Sequence, residues 1–151
     1  MAGRPYIQLA LTAAALFFAP AKAGHADDFN SRNAMTRINV IVGDEVMPAT
    51  LDDTPAAQDF ASMLPLDLTL RDYHGIEKVA DLDRKLDDTD APRAYAPEPG
   101  DITQYRPWGN LAIFYKPFQS SAGLLRLGEF DGSLEPLMRE GNFSVRIELA
   151  D

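Results

Sequence analysis

The chain contains no cysteine, and this absence excludes several kinds of chemistry. Disulfide bonds, thiol nucleophiles and cysteine metal sites are ruled out, and so is a lipid attached to a cysteine at a processed N-terminus. Any folded domain must therefore be held together by its hydrophobic core alone, and about 120 residues suffice for one ordinary domain.

Histidine is almost as scarce, with only His25 and His74 in the chain. They lie far apart in sequence, so we expect no pair of histidines on a metal ion. No glycine-rich phosphate loop and no dinucleotide-binding fingerprint is present. The sequence therefore predicts no metal site and no cofactor.

Basic residues are also few, with 14 lysines and arginines against 23 acids and a formal net charge of −9. A chain of this charge has no electrostatic footprint for DNA or RNA and does not suit an anionic membrane surface. We expect no nucleic-acid partner. One acidic run follows residue 80 (Asp81, Asp83, Asp87, Asp88 and Asp90). It lacks the glycine and terminal glutamate of a calcium loop, so we interpret it as a solvated loop.

Long apolar runs are missing apart from a short one near the start, between Leu9 and Ala19. It is too short for a membrane span, which needs about 20 residues. Arg4 precedes it, and the small residues Ala21 and Ala23 follow it in an Ala-x-Ala pattern. These features predict a secretory signal peptide over residues 1–23, with a periplasmic or secreted product and no membrane span after cleavage. A retained anchor, or cleavage after Ala26, remains an alternative.

Residues 24–34 are polar and aperiodic, which is typical of a disordered linker. The domain is predicted to occupy residues 35–151. Alternating and β-branched segments then predict eight strands. They are Arg37–Val42, Glu45–Leu51, Leu66–Tyr73, Glu77–Leu82, Asp101–Tyr105, Leu111–Tyr115, Leu124–Phe130 and Phe143–Leu149.

Two short helices are predicted between the strands. The first follows Thr54 as N-cap and Pro55 at its first position, and Pro65 ends it. The second spans Ser133–Arg139, and residues 83–99 are predicted to form a surface loop. A chain dominated by strands avoids exposed edges by closing into a barrel. The predicted fold class is therefore mainly β: a closed barrel with two short helices.

Three segments resemble the cyclophilins in the right order along the chain. Thr54–Phe60 is similar to the start of the first cyclophilin helix, and Gly100–Tyr115 is similar to the Gly-Asp-Phe-Thr loop and the strand after it. Leu127–Glu135 is similar to the late turn of that fold. The closest resemblance is to a compact bacterial group of cyclophilin-like domain proteins, which implies a cyclophilin-like β-barrel over about residues 35–150 and no established reaction.

The residues that make cyclophilins act on proline are largely missing. The family's arginine, which donates hydrogen bonds to the twisted amide, corresponds to a segment containing Lys78, and lysine lacks the planar fork of arginine. Only about a dozen residues between Tyr115 and Leu127 replace the long segment that carries the family's proline pocket. We predict no intact catalytic constellation and name no catalytic residue.

The candidate ligand-binding residues are Tyr105, Trp108, Asn110, Tyr115 and Arg126. Aromatic rings beside an amide suit a small ligand or an extended peptide. The alternative is structural: Trp108 closes one end of the barrel, Asn110 bonds loop backbone, and Arg126 points to solvent. We predict an exported, non-catalytic module that binds a small ligand or a peptide, the alternative being a divergent prolyl isomerase or another enzyme that uses the same pocket.

Overall fold

The structure is a computed structural model, and it describes residues 35–151. The predicted signal peptide at residues 1–23 and the predicted linker at residues 24–34 lie outside the described residues. The elements are β1 (Arg37–Val42), β2 (Glu45–Leu51), α1 (Pro55–Ser62), β3 (Leu66–Tyr73), β4 (Glu77–Asp81), β5 (Ala94–Tyr95), β6 (Asp101–Tyr105), β7 (Asn110–Phe114), β8 (Ser121–Ala122), β9 (Leu124–Phe130), a 3-10 turn (Glu135–Leu137) and β10 (Phe143–Leu149).

Eight of these strands form a closed barrel in the order β1-β10-β3-β4-β7-β6-β9-β2. Every neighbouring pair is antiparallel, and the return from β2 to β1 closes the circle. Closure leaves no open sheet edge, so the whole ladder is hydrogen-bonded. This confirms the predicted mainly β class and the closed barrel.

Alternation along the strands divides interior from exterior. On β4 and β7, Ala80, Leu111 and Ile113 are buried in the main core, whereas Glu77 and Asp81 face outward. The polar residue Gln104 is also fully buried. Its amide oxygen accepts from the backbone of Leu86 at 2.8 Å, so it fixes the loop after β4 onto the end of the barrel.

Helix α1 begins at Pro55, where the sequence predicts, and ends at Ser62, before it reaches Pro65. The Thr54 hydroxyl accepts a hydrogen bond from the backbone N–H of Ala57 at 3.2 Å, and Pro55 occupies the first turn. Ala56, Ala57 and Phe60 are buried against the barrel core. A capping hydroxyl followed by a narrow apolar face is sufficient to hold so short a helix.

The second predicted helix, over Ser133–Arg139, is instead a single 3-10 turn at Glu135–Leu137. Leu134 stands at the N-cap position and has no side-chain hydrogen bond, while Pro136 removes a backbone donor. Gly141 follows with a φ of +72°, which turns the chain away. Proline is tolerated in a first turn, so the missing cap and the turn at Gly141 are what limit the segment to a single turn.

The predicted surface loop at residues 83–99 contains a strand that the sequence pattern did not indicate. Its two residues, Ala94 and Tyr95, pair with Ala122 and Ser121 to form a small sheet beside the barrel. So short a strand carries no alternation to detect.

Within residues 35–151, the structure has no helix of the length and apolar character that a membrane crossing requires.

Candidate functional site

A groove of about 670 Å³ lies on the outside of the barrel, across strands β3, β4, β7 and β6. Its size falls within the range of about 300–1,000 Å³ that small-molecule sites occupy. The main lining residues are Arg71, Tyr73, His74, Ile76, Glu77, Val79, Asp81, Tyr105, Trp108, Asn110, Phe114, Phe118 to Ala122, and Leu124. The groove therefore combines an apolar floor with a few polar groups.

The groove floor is a second hydrophobic cluster, separate from the barrel interior. Val79, Ala112, Phe114 and Leu124 are buried there, although alternation places them on the outer face of their strands. Outward residues of a small barrel are usually polar when water covers them. Apolar side chains at these positions indicate that this face is covered by other parts of the chain.

The cover consists of residues 118–122, which rise over the floor as the groove wall. Strand β8 of this wall pairs with β5, and the backbone N–H of Phe118 donates to the carbonyl of Pro97 at 3.1 Å. The ring of Phe118 stacks near that of Phe114, with centroids 6.3 Å apart. The short segment between Tyr115 and Leu127 therefore builds a groove rather than a sealed surface.

The wall is tied to the barrel through Tyr95 and Asp101. The Tyr95 hydroxyl donates to the buried Asp101 carboxylate at 2.6 Å, and the backbone of Glu98 donates to the same carboxylate at 2.8 Å. Burial, together with this bond to Asp101, raises the pKa of Tyr95 to about 12. Tyr95 is therefore a neutral donor at physiological pH, and it anchors β5 and the strand paired with it.

Three aromatic rings form the rim of the groove. Trp108 lies 6.0 Å from Tyr73 and 5.2 Å from Tyr105 between ring centroids, and both pairs meet nearly at right angles. Trp108 is 68% exposed, which is unusual for so large an apolar side chain. The turn that presents it ends at Gly109, whose φ of +72° is readily adopted only by glycine. The rim thus offers aromatic faces to water.

Asn110 lies in the groove and is 5% exposed. Its amide nitrogen donates to the carbonyl of Leu111 at 3.3 Å, which fixes the side-chain oxygen as the remaining acceptor. Within residues 35–151 that buried oxygen finds no hydrogen-bond partner. Leaving a buried acceptor unpaired costs about 1–3 kcal/mol, so a ligand that donates a hydrogen bond to this oxygen would be stabilised.

The charged groups of the groove are unevenly compensated. Arg71 donates to Asp81 at 3.1 Å, so these two charges offset one another. Among the described residues, Glu77 has neither an ion pair nor a hydrogen bond to its carboxyl group. Burial raises the pKa of Glu77 from its usual 4.5 to about 7. The groove therefore holds one carboxyl group whose charge is uncompensated.

The raised pKa of Glu77 predicts a pH-dependent stability. The native state holds one more proton than the unfolded state between about pH 4.5 and 7, so the free energy of unfolding falls as the pH rises through that window. Glu77→Gln removes the cost of burying the ionised carboxyl group. The variant should therefore be more stable than the wild type by about 1–2 kcal/mol above pH 7, with no gain below pH 4.5. Urea unfolding of the variant and the wild type across this pH range measures the difference in the free energy of unfolding. Glu140→Gln, which makes the same charge change at an exposed site, should show no such trend.

The structure brings three of the five predicted site residues together: Tyr105, Trp108 and Asn110 line the groove. Tyr115 and Arg126 lie outside it. The Tyr115 hydroxyl donates to Asp72 at 2.5 Å on the far side of β7 from the groove floor. Burial and this bond raise the pKa of Tyr115 to about 12, so it is a neutral structural donor.

Arg126 is held among carboxylates beside the groove wall. One of its guanidinium nitrogens lies 2.6 Å from both oxygens of Asp52, and the others approach Asp101 and Glu129. Its side chain is 27% exposed. Arg126 therefore neither faces the barrel interior nor points freely into solvent, but joins β9 to the start of α1 and to β6.

Lys78, the cation at the family's arginine position, is turned away from the groove. It is 4% exposed, donates to the carbonyl of Arg139 at 2.9 Å, and lies 3.4 Å from Asp72. Its neighbours on β4 alternate to the opposite face, and one of them is Glu77. Lys78 thus holds the segment before β10 against the barrel and presents no donor to the groove.

Sequence reasoning missed the contribution of β3 and β4 to the groove. Arg71 and Tyr73 occupy alternate positions on β3, and Glu77 and Asp81 share one face of β4. The strict alternation of β3 could have placed Arg71 and Tyr73 on one outer face. Which strands lie beside β6 and β7 follows only from the barrel order, so no sequence signal could have joined these residues to Trp108.

The fold and the groove place this chain in a class of small β-barrel proteins: closed antiparallel barrels with an outer groove that inserted loops wall. The sequence model of the Cyclophilin-like family matches residues 40–148, and the chain belongs to that family. This confirms the resemblance seen in the sequence. The solution structure of a hypothetical protein from Archaeoglobus fulgidus is similar, with a TM-score of 0.55 and 16% identity over 77% of this chain and 95% of that one. No curated protein matches the chain by sequence. At 16% identity, the similarity to the Archaeoglobus fulgidus structure shows the fold alone.

Proposed function

We propose that this protein is a non-catalytic binding module that holds a small ligand or a short peptide in the outer groove. The observation that supports this most strongly is the groove itself: about 670 Å³, with a buried apolar floor and an exposed Trp108 at its rim. A concave apolar site with a few convergent polar groups is the usual form of a binding site. Exposed aromatic surface of this kind also commonly marks a place of contact.

Lys78, at the position of the cyclophilin arginine, offers no hydrogen-bond donor to the groove, and this supports binding without catalysis. Stabilising a twisted prolyl amide requires a hydrogen-bond donor aimed at the reacting group. Lys78 is engaged with the backbone of Arg139 and is not a lining residue of the groove. Arg126 is likewise engaged with Asp52.

A second candidate, a divergent prolyl isomerase, is favoured by one observation. Arg71 lines the groove, its side chain is 45% exposed, and within residues 35–151 only Asp81 pairs with it. An arginine on β3 could therefore replace the missing donor from a different strand. The planar guanidinium would suit an amide as it does in the cyclophilins.

An isomerisation assay on a tetrapeptide containing an Ala-Pro bond separates these two functions. We expect no rate above the uncatalysed reaction, which takes tens to hundreds of seconds and can be followed directly. Catalysis that Arg71→Ala abolishes, and that the exposed control Arg146→Ala retains, would establish the isomerase instead.

Binding is tested in the same preparation by the fluorescence of Trp108, the single tryptophan of the chain. Benzyl alcohol, a small neutral aromatic probe, should shift its emission in a saturable way. The amide resonances of the groove strands should shift with it. A linear, unsaturable response would contradict a binding groove.

We also propose that the protein is exported, with cleavage after Ala23. The basic start, the apolar run and the Ala-x-Ala pattern support this. Expressed in a Gram-negative host, the full chain should be recovered from the periplasm with Gly24 at its N-terminus. A cytoplasmic chain that keeps residues 1–23 would contradict export.

A further inference from the structure

Two polar groups that lie against the apolar floor of the groove await a partner, and both are acceptors. Glu77 has no ion pair or hydrogen bond to its carboxyl group among the described residues, and the buried Asn110 oxygen has no donor. The one guanidinium in the groove, that of Arg71, is already paired with Asp81 at 3.1 Å. A ligand that satisfies Glu77 and Asn110 must therefore bring hydrogen-bond donors to them.

The charges of the groove point in the same direction. Arg71 and Asp81 offset each other, so an ionised Glu77 leaves one uncompensated negative charge in a partly buried site. The whole chain is acidic, with a formal net charge of −9, which further repels anions. A cation placed beside Glu77 would gain more here than at the open surface, because the site is partly shielded from water.

The aromatic rim supplies a second, independent element that favours a cation. The rings of Tyr73 and Tyr105 each meet the ring of Trp108 nearly at right angles, with centroids 6.0 and 5.2 Å from it, so the rim is a corner rather than a flat surface. Ring faces carry negative charge density and attract ammonium and guanidinium groups. A corner of such faces next to a carboxylate is a suitable arrangement for an organic cation.

We infer that the groove is selective for small organic cations, in which an ammonium or guanidinium group on an apolar body lies against Glu77 and the Tyr73–Trp108–Tyr105 rim. The apolar body would cover the floor formed by Val79, Ala112, Phe114 and Leu124. This inference rests on the proposed function, since it names the ligand class of the same groove.

Three probes that share a phenyl ring test the charge preference: benzylamine as cation, benzyl alcohol as neutral analogue and phenylacetate as anion. Each is titrated against the full chain at about pH 8, where Glu77 is ionised, with Trp108 fluorescence and amide chemical shifts as readouts. We expect benzylamine to bind about tenfold more tightly than benzyl alcohol, and phenylacetate to bind most weakly.

Glu77→Gln is the decisive variant, because it removes the charge and keeps the shape. It should abolish the preference for benzylamine over benzyl alcohol. Glu140→Gln, with the same loss of charge at an exposed site outside the groove, should keep the preference. A circular dichroism spectrum and urea midpoint close to those of the wild type would show that the variant is folded.

The pH profile gives a further check. Ionisation of Glu77 should strengthen benzylamine binding as the pH rises through about 7. The other titratable and charged groups facing the groove are Arg71 and Tyr73 on β3, His74 in the turn, Asp81 on β4, and Tyr105 on β6. The contribution of Glu77 is the part of the profile that Glu77→Gln removes.

The outcomes separate this inference from the proposed function. Equal binding of all three probes, or a benzylamine preference that survives Glu77→Gln, would overturn the cation selectivity and leave a general binding groove. Failure of every probe to perturb Trp108 or the groove amides at millimolar concentration would overturn both.

Discussion

Gly128→Ala is expected to destabilise the protein by about 3 kcal/mol, a large part of the 5–15 kcal/mol that typically stabilises a domain. A Cβ atom at Gly128 would overlap the carbonyl oxygen of Thr50 and would lie 2.8 Å from the Cα of Leu51. Both are backbone atoms of β2, the strand whose pairing with β9 helps to close the barrel. The backbone cannot move aside without opening that seam.

Gly132→Ala is the matched control, since a Cβ there meets nothing within 4 Å. Urea unfolding followed by circular dichroism should show a midpoint near that of the wild type for Gly132→Ala and a much lower one for Gly128→Ala. Equal midpoints for the two variants would mean that β2 and β9 do not approach as closely as the structure has them.

Arg126→Ala is expected to cost about 2–3 kcal/mol of stability while leaving the groove able to bind. The guanidinium lies 2.6 Å from both oxygens of Asp52 and 3.4 Å from the buried Asp101. Its removal leaves two carboxylates without their cation, and Asp101 is only 3% exposed. An unpaired charge in so buried a place is costly.

Arg146→Ala is the control for Arg126→Ala. Arg146 also contacts two acids, Asp67 and Glu148, but its side chain is 45% exposed. Exposed ion pairs are worth about 0–1 kcal/mol, so we expect a loss of stability within that range. Benzyl alcohol affinity should be unchanged in both variants. A selective loss of probe binding in Arg126→Ala would show instead that Arg126 contacts the ligand.

The strands were predictable because each has one face in the core. Six of the eight barrel strands have the bounds that the alternating pattern predicts, for example Leu66–Tyr73 and Phe143–Leu149. The helix after Thr54 was equally clear, because its cap, its proline and its apolar face agree. The prediction of the second helix was wrong because the segment has no side-chain cap and the chain turns away at Gly141, so only a single turn forms.

The candidate site was only partly predictable. Tyr105, Trp108 and Asn110 belong to one hairpin, so a short stretch of sequence keeps them together. Glu77 and Arg71 come from strands about 30 residues earlier and join them only through the pairing of β4 with β7 and of β3 with β4. Arg126 was chosen for its place in an apolar strand, but its partners, Asp52 and Asp101, come from distant segments.

By itself, the sequence determined the mainly β class, the strand positions, the absence of cysteine chemistry and the family resemblance. All of these depend on local pattern or on composition. Only the tertiary structure decided that the outer face carries a groove, because that depends on the pairing of the two-residue strands β5 and β8 beside the barrel. It also decided the roles of the cations: Lys78 and Arg126 hold the barrel and its wall, while the unpaired carboxyl group of Glu77 faces the groove. Burial and partnership are properties of the assembled chain, and no run of residues encodes them alone.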